Sequence, residues 1–167
     1  SGGAEGLPAI ARENPLTEEL RQELLAIDGV ESITSHEVTS ATVKFPQESV
    51  ALKFPVFDRE QMEQWLPEEN LEQGSVDYEE LAANNGVIVT DSEDHLLSMF
   101  YGYTPAVGDV LTFESMDGKA IEVTVMGIAK PSVTSGTGAW GLFTLTEELA
   151  DQLYPDIENR EAVWNVH

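Results

Sequence analysis

The amino-acid sequence predicts an α+β fold, with helices packed on one face of a mainly antiparallel, mixed sheet. Apolar and polar residues alternate through residues 41–46 and 50–55, and again through residues 109–128, as they do in half-buried strands. Apolar residues recur at helical spacing through residues 16–27. Helical and strand segments follow one another in mixed order, which is typical of the α+β class.

Five helical segments are expected, and several carry a recognisable start. Asn14-Pro15 and Thr17 suit the first turn of a helix that stops at Asp28-Gly29. Asp58 and Gln61 have the spacing of a capping box. The expected segments are residues 14–28, 58–65, 78–83, 92–100 and 146–153. Within residues 92–100, the expected buried side chains are Leu96, Leu97 and Phe100.

The strands are predicted from alternation and from turn residues between them. Residues 41–46 and 50–55 form a hairpin, and Asp117-Gly118 is the tight turn of a second hairpin. Gly127 is expected to mark a β-bulge. The remaining expected strands are residues 30–34, 87–89, 142–145 and 162–166. Residues 67–80 are acidic and irregular, and are predicted to be a surface loop that ends in a helical turn at residues 78–83.

Charge is the strongest fact of composition, because the 167 residues hold 31 Asp and Glu against 8 Lys and Arg, a net charge of −23. A nucleic-acid partner needs basic side chains to meet its phosphates, so the sequence excludes that class of function. An anionic membrane surface is unattractive for the same reason. A well-solvated acidic surface accounts for the charge, and a specific cationic partner is the alternative.

The chain has no cysteine, which excludes disulfides and thiolate chemistry. No stretch approaches the roughly 18 apolar residues that span a bilayer. The start Ser1-Gly2-Gly3 resembles an expression scar, so we expect a soluble piece of a longer protein. Residues 1–13 are expected to be a disordered lead-in and residues 14–167 a single domain.

The glycine-rich segment 131–141 is the candidate interaction loop, represented by Gly136, Gly138 and Trp140. Its Gly136–Gly141 run matches the spacing G-x-G-x-x-G, but a Pro-containing loop precedes it and a strand follows. Dinucleotide binding needs a strand before the motif and a helix after it, so a flexible glycine loop is favoured. Trp140 either anchors a partner or folds back as a local plug.

Two other groups of residues contain side chains that can carry chemistry, namely an acidic cluster and the histidines. Asp91, Glu93, Asp94 and His95 lack the spacing of a metal site, and acids in the first turn of a helix explain them better than a weak calcium site does. His36, His95 and His167 are the only histidines. A catalytic triad or a carboxylate pair therefore has little support, and we predict no catalytic residue, no metal and no cofactor.

Residues 86–90 (GVIVT) and 107–113 (VGDVLTF), taken in order, resemble the central signature of the MacB-like periplasmic core domain found in FtsX-like ABC-transporter permeases. Residues 121–128 (IEVTVMGI) are similar to the V-x-G-I strand of that family. Residues 29–33 (GVESI) are similar to its entry strand. Residues 56–58 (VFD) fall at a family segment of the form V-x-G-V-D, without its glycine. The resemblance covers most of residues 14–166.

The resemblance implies a two-part ectodomain between the first two membrane helices of a permease dimer, driven by a cytoplasmic ATPase. Residues 14–45 with 106–167 would form the membrane-proximal part, and residues 46–105 the inserted part. Such domains bind peptides, lipoproteins, lipids or partner proteins, or relay motion, and bring no catalytic residues. The chain is short and lacks a region for docking an outer-membrane channel, so a Gram-positive-type permease facing outward is implied.

Three functions remain open on the sequence. The first is a non-catalytic permease ectodomain at the extracellular face of the cell membrane. The second is a free-standing secreted domain that binds a cationic peptide or a sugar. The third, and least supported, is a small hydrolase, which would need a pocket that holds a nucleophile near a base.

Overall fold

The computed structural model describes the backbone of residues 33–132, 141–154 and 161–166, and the side chains of residues 37–132 and 141–154. The predicted lead-in at residues 1–13 and the predicted helix at residues 14–28 lie outside these ranges. Eight strands and four α-helices lie within them. They are β1 Ile33–Lys44, β2 Ser49–Phe57, α1 Arg59–Trp65, β3 Leu71–Gly74, α2 Tyr78–Ala83, β4 Gly86–Val89, α3 Leu96–Tyr101, β5 Val110–Glu114, β6 Ala120–Ala129, β7 Phe143–Thr146, α4 Glu147–Leu153 and β8 Glu161–Val166.

The strands form one mixed sheet. Its order is β2-β7-β4-β6-β5-β1-β8, with β3 paired to β6. Strand β1 also pairs with β2. The six strands β2, β7, β4, β6, β5 and β1 therefore form a continuous ring of pairings. The β2–β7 and β4–β6 pairings are parallel, and the other pairings of the described strands are antiparallel. The predicted α+β class with a mainly antiparallel mixed sheet is therefore confirmed.

The division into a membrane-proximal part and an inserted part stays a prediction. Strands β2 and β4 belong to the predicted inserted range, residues 46–105. Strand β7, from the other range, lies between them, and β4 then pairs with β6. The two predicted parts thus contribute alternating strands to the same sheet.

Local sequence signals set the ends of several elements. Asp58 accepts a hydrogen bond from the amide of Gln61 at 2.8 Å, and the Gln61 side chain accepts one from the amide of Asp58 at 3.0 Å. This is the predicted capping box. Thr146 caps α4 through the amide of Leu149 at 3.1 Å. The hairpins at residues 45–48 and 115–119 are also confirmed.

The core is centred on three fully buried aromatic rings. Phe54 stacks on Phe113 with ring centroids 5.0 Å apart, and Phe143 meets both rings edge-on at 6.1 and 5.6 Å. The alternating residues Leu111 and Val123 face this cluster, as the sequence predicts. A smaller cluster lies under α1 and α2, around Met62 and Leu81.

The predicted surface loop at residues 67–80 is only partly correct. It contains a 3₁₀ turn, Glu68–Asn70, and then strand β3, which pairs with the end of β6. Only Leu71 of β3 is buried, so the segment carries no alternation. The backbone of β6 stabilises β3, and that pairing leaves no local signal in the sequence.

The two ends of the sheet differ in what they carry. At one end, β1 begins and β8 finishes, with Ile33 the register partner of Val166. At the other end, which we call the apical end, lie the β1–β2 turn, the N-terminus of β5 and the segment 90–109 that follows β4. Strand β1 has 12 residues and therefore spans roughly 35 Å between the two ends.

Candidate interaction surface

The candidate loop residues Gly136, Gly138 and Trp140 lie outside the described residues, so their predicted role stays a prediction. The structure describes the two ends of the loop, residues 131–132 and Gly141, which we call its roots. Its N-terminal root leaves β6, where the amide of Lys130 donates to the carbonyl of Asn70 at 2.8 Å. Strand β6 runs in parallel with β4, so the loop starts at the apical end.

The C-terminal root of the loop is held by Thr90, which follows β4. The Thr90 hydroxyl donates to the carbonyl of Gly141 at 2.6 Å, and the Thr90 amide donates to the carbonyl of Leu142 at 2.9 Å. A Cβ atom built on Gly141 would lie 2.6 Å from the carbonyl oxygen of Lys53. The root therefore packs directly against the backbone of β2.

We expect Gly141→Ala to lower the free energy of unfolding by about 1–3 kcal/mol, because the new methyl group meets backbone that cannot rotate away. Equilibrium urea unfolding measures the loss. Ser132→Ala is the matched control, because Ser132 is exposed at the other root of the same loop. Equal stability of the two variants would show that the Gly141 root is not tightly packed.

Exposed apolar side chains are concentrated at the apical end. Of the five large apolar side chains that are exposed in the described residues, four lie within residues 99–110. We call these four the apical surface: Met99, Phe100, Val107 and Val110, with exposed fractions of 65%, 62%, 44% and 55%. Single exposed apolar residues are common, whereas several at one end of a sheet are a candidate interaction surface.

An aromatic cluster holds helix α3 against the β1–β2 turn. The ring of Phe45, in that turn, stacks on Tyr101 with centroids 5.1 Å apart, and Tyr103 lies 5.7 Å away. Leu97 is fully buried beneath the helix. Leu97 and Tyr101 are four residues apart and share the inward face, so Met99 and Phe100 are left outside it. The prediction that Phe100 is buried is therefore wrong.

Tyr103 joins the helix to the start of β5. Its hydroxyl donates to a carboxylate oxygen of Asp109 at 2.7 Å, and the same oxygen accepts from the amide of Ala106 at 2.9 Å. Burial, followed by the hydrogen bond to Asp109, raises the pKa of Tyr103 above its ordinary value. The hydroxyl therefore stays protonated and keeps donating to Asp109, which ties the segment after α3 to the start of β5.

Asp91 holds the start of α3. Its carboxylate accepts hydrogen bonds from the amides of Ser92, Leu96 and Leu97 at 2.7, 3.0 and 3.0 Å. The predicted capping role is confirmed for this residue. The helix itself begins at Leu96. Residues 92–95 form a turn between Asp91 and the helix, and the turn ends at His95, whose backbone is left-handed with φ of 51°.

The other acids of the predicted cluster take a different position. Glu93 and Asp94 are exposed and precede the helix instead of occupying its first turn, so that part of the prediction is wrong. Among the residues whose side chains are described, no group of three or more His, Asp or Glu is placed to hold a metal ion.

The comparisons with known proteins find a likeness among solved structures. No family model matches the chain, and no curated protein matches it. Among solved structures, the extracellular domain of the noncanonic ABC-type transporter YknZ from Gram-positive bacteria is similar over 94% of this chain and 76% of that chain. The TM-score is 0.50 and the sequence identity is 15%.

The chain has the fold of an ABC-transporter extracellular domain. The resemblance predicted from short sequence segments is thus confirmed at the level of fold. In this transporter-domain fold, the segments GVIVT and VGDVLTF become β4 and the turn into β5, on either side of α3. No helix in the described ranges is both long and apolar enough to cross a membrane.

The apical surface of this transporter-domain fold was missed by the sequence analysis. The available signal was the spacing of α3, in which Leu97 and Tyr101 share one face while Gly102 ends the helix with φ of 63°. A helix of six residues buries only one narrow face, which leaves Met99 and Phe100 exposed. Nothing local in the sequence places Val107 and Val110 at the same end of the sheet.

Proposed function

We propose that the chain is the non-catalytic extracytoplasmic domain of a bacterial ABC-transporter permease of the FtsX/MacB type. The observation that carries the proposal is the likeness of fold to a transporter extracellular domain over 94% of the chain. In this role the domain meets a substrate or partner outside the cell and relays conformational change to the rest of the transporter.

The paired ends of the domain support this role. Ile33 and Val166 are register partners in the β1–β8 ladder, so the described chain enters and leaves the sheet at the same place. That arrangement suits a domain inserted between two membrane segments of a longer polypeptide. With the paired ends at the membrane, the apical surface faces away from it, roughly 35 Å further along β1.

The partners implied by the proposal are a second permease subunit and a cytoplasmic ATPase, both met through the rest of the full-length protein. The substrate classes that fit are a peptide, a lipid or a lipoprotein. A net charge of −23 repels anionic headgroups and so holds the domain off the bilayer surface. Strand β1 pairs with β2, β5 and β8, so movement of the paired ends would be transmitted to most of the sheet.

A single introduced cysteine tests where the domain lies. Met116, in the β5–β6 turn, is 84% exposed, and the chain has no cysteine of its own. We expect Met116→Cys in the full-length protein to react with a membrane-impermeant maleimide on intact cells. The labelled protein should sediment with the membrane fraction.

The unsubstituted full-length protein is the control, since it reports any reactive cysteine outside these 167 residues. Labelling that appears only after lysis would place the domain inside the cell and overturn the proposal. Labelled protein recovered only from the medium would favour the free-standing secreted domain instead.

A further inference from the structure

We infer that the apical surface binds a cationic amphipathic segment of a polypeptide. The inference rests on the proposed function for the outward direction of that surface, and on the structure for the surface itself. The apolar contact residues are Met99 and Phe100 on α3, Val107 before β5 and Val110 at the start of β5.

The four residues belong to one rigid platform. The Phe45–Tyr101 stack and the Tyr103–Asp109 hydrogen bond tie α3, the β1–β2 turn and the start of β5 together. The amide of Val125 in β6 donates to the carbonyl of Asp109 at 2.8 Å, which continues the β5–β6 ladder into the turn. A platform held in this way loses little conformational entropy when a partner binds.

The apolar side chains suit a helical partner. Phe and Met are enriched at the centres of protein interfaces, and unbranched Met adapts to the shape of what it meets. An amphipathic helix lays its apolar residues, spaced three and four apart, on such a surface. Two or three anchors of this kind account for most of the affinity in a small interface.

Charge complementarity decides the chemistry of the partner. Residues 90–110 contain four acids, Asp91, Glu93, Asp94 and Asp109, and no Lys or Arg. Glu93 and Asp94 are exposed immediately before α3, and Glu48 is exposed in the adjacent β1–β2 turn. Exposed Lys44 and Lys130 lie at the same end of the sheet, and Lys44 is paired with Glu114 at 3.1 Å. The three exposed acids and the net charge of −23 favour a segment with Lys or Arg beside its apolar face and increase its rate of encounter.

The same charges argue against two other occupants. A second copy of the chain carries the same net charge of −23, so two apical surfaces would repel one another. An anionic lipid surface is repelled as well, and in the proposed orientation the apical surface points away from the membrane.

The test measures binding of a synthetic leucine–lysine peptide, designed as an amphipathic helix, to the 167-residue chain by fluorescence anisotropy. We expect saturable binding that weakens as salt is raised. A leucine–glutamate peptide of the same pattern should not bind. A scrambled leucine–lysine peptide, with the same charge and no apolar face, should bind at least about tenfold more weakly.

Substitutions then locate the binding surface. We expect Met99→Ser/Phe100→Ser to raise Kd at least about tenfold, because the bound peptide would no longer cover these two apolar side chains. Val107→Ser/Val110→Ser should raise it several-fold, which gives a second, independent variant. Met116→Ser is the matched control, since Met116 is apolar and 84% exposed but lies in the β5–β6 turn at the other end of β5.

Several outcomes would overturn the inference. Equal loss of affinity in Met116→Ser and in the Met99/Phe100 variant would show binding without a defined site. Equal affinity for the leucine–glutamate peptide would remove the role of charge. Self-association that depends on Phe100 would make a second copy the occupant. None of these results changes the labelling of Met116→Cys on intact cells, so the proposed function would still stand or fall by its own test.

Discussion

Phe113→Ala is expected to lower the free energy of unfolding by about 3–5 kcal/mol. The Phe113 ring is fully buried, stacks on Phe54 at 5.0 Å and meets Phe143 at 5.6 Å, so its removal leaves a cavity between strands β5, β2 and β7. Domains of this size have total stabilities of only about 5–15 kcal/mol, so the variant should be close to unfolding at room temperature. Equilibrium urea unfolding, followed by tryptophan fluorescence, measures the change.

Phe100→Ala is the matched control for this prediction. It removes the same atoms from a side chain that is 62% exposed, so we expect a change within about 0.5 kcal/mol. A loss below about 1 kcal/mol for Phe113→Ala would mean that the three rings do not form the centre of the core. The same pair of variants also separates folding from recognition, because only Phe100 belongs to the apical surface.

Asp91→Ala is expected to lower the free energy of unfolding by about 3 kcal/mol and to weaken binding at the apical surface. The Asp91 carboxylate accepts three backbone N–H groups, and the Leu97 amide among them is buried. Without the carboxylate these donors lose their acceptor, and each buried unsatisfied group costs about 1–3 kcal/mol. Helix α3 would then no longer hold Met99 and Phe100 in place.

Asp94→Ala is the control, since it removes an exposed carboxylate from the same acidic stretch. We expect its stability to stay within about 0.5 kcal/mol of the parent. Urea unfolding and binding of the leucine–lysine peptide are measured on both variants. If Asp94→Ala destabilised the domain as much as Asp91→Ala, then long-range charge, and not the local hydrogen bonds, would govern the stability of α3.

The sequence predicted the elements that depend on neighbouring residues. The capping box at Asp58 and Gln61, the cap at Thr146 and the turn at Asp117-Gly118 each depend on residues within a few positions, and all three are confirmed. The bulge expected at Gly127 is also confirmed, since the β4–β6 register shifts at the residue before it. These signals act over a few bonds and survive in any tertiary context.

The features that the sequence did not predict depend on distant pairings. Strand β3 has one buried residue and is stabilised by β6, more than fifty positions later. The parallel pairings of β2 with β7 and of β4 with β6 leave no local trace. The exposure of Phe100 follows from the competition of Leu97 and Tyr101 for the inward face, which depends on where Phe45 lies. The apical surface could therefore be found only in three dimensions.

The pairing of Ile33 with Val166 also determines how the domain responds to a pull. Tension applied between these two ends acts across the β1–β8 ladder at its terminal pair, and so loads its hydrogen bonds one after another. Peeling of this kind needs much less force than sliding two strands past each other, where many bonds must break together. From Glu37 onward β1 is also paired with β2, so the peeling would slow where that second pairing begins. The first pairs of the β1–β8 ladder therefore yield to tension more readily than the rest of the sheet does.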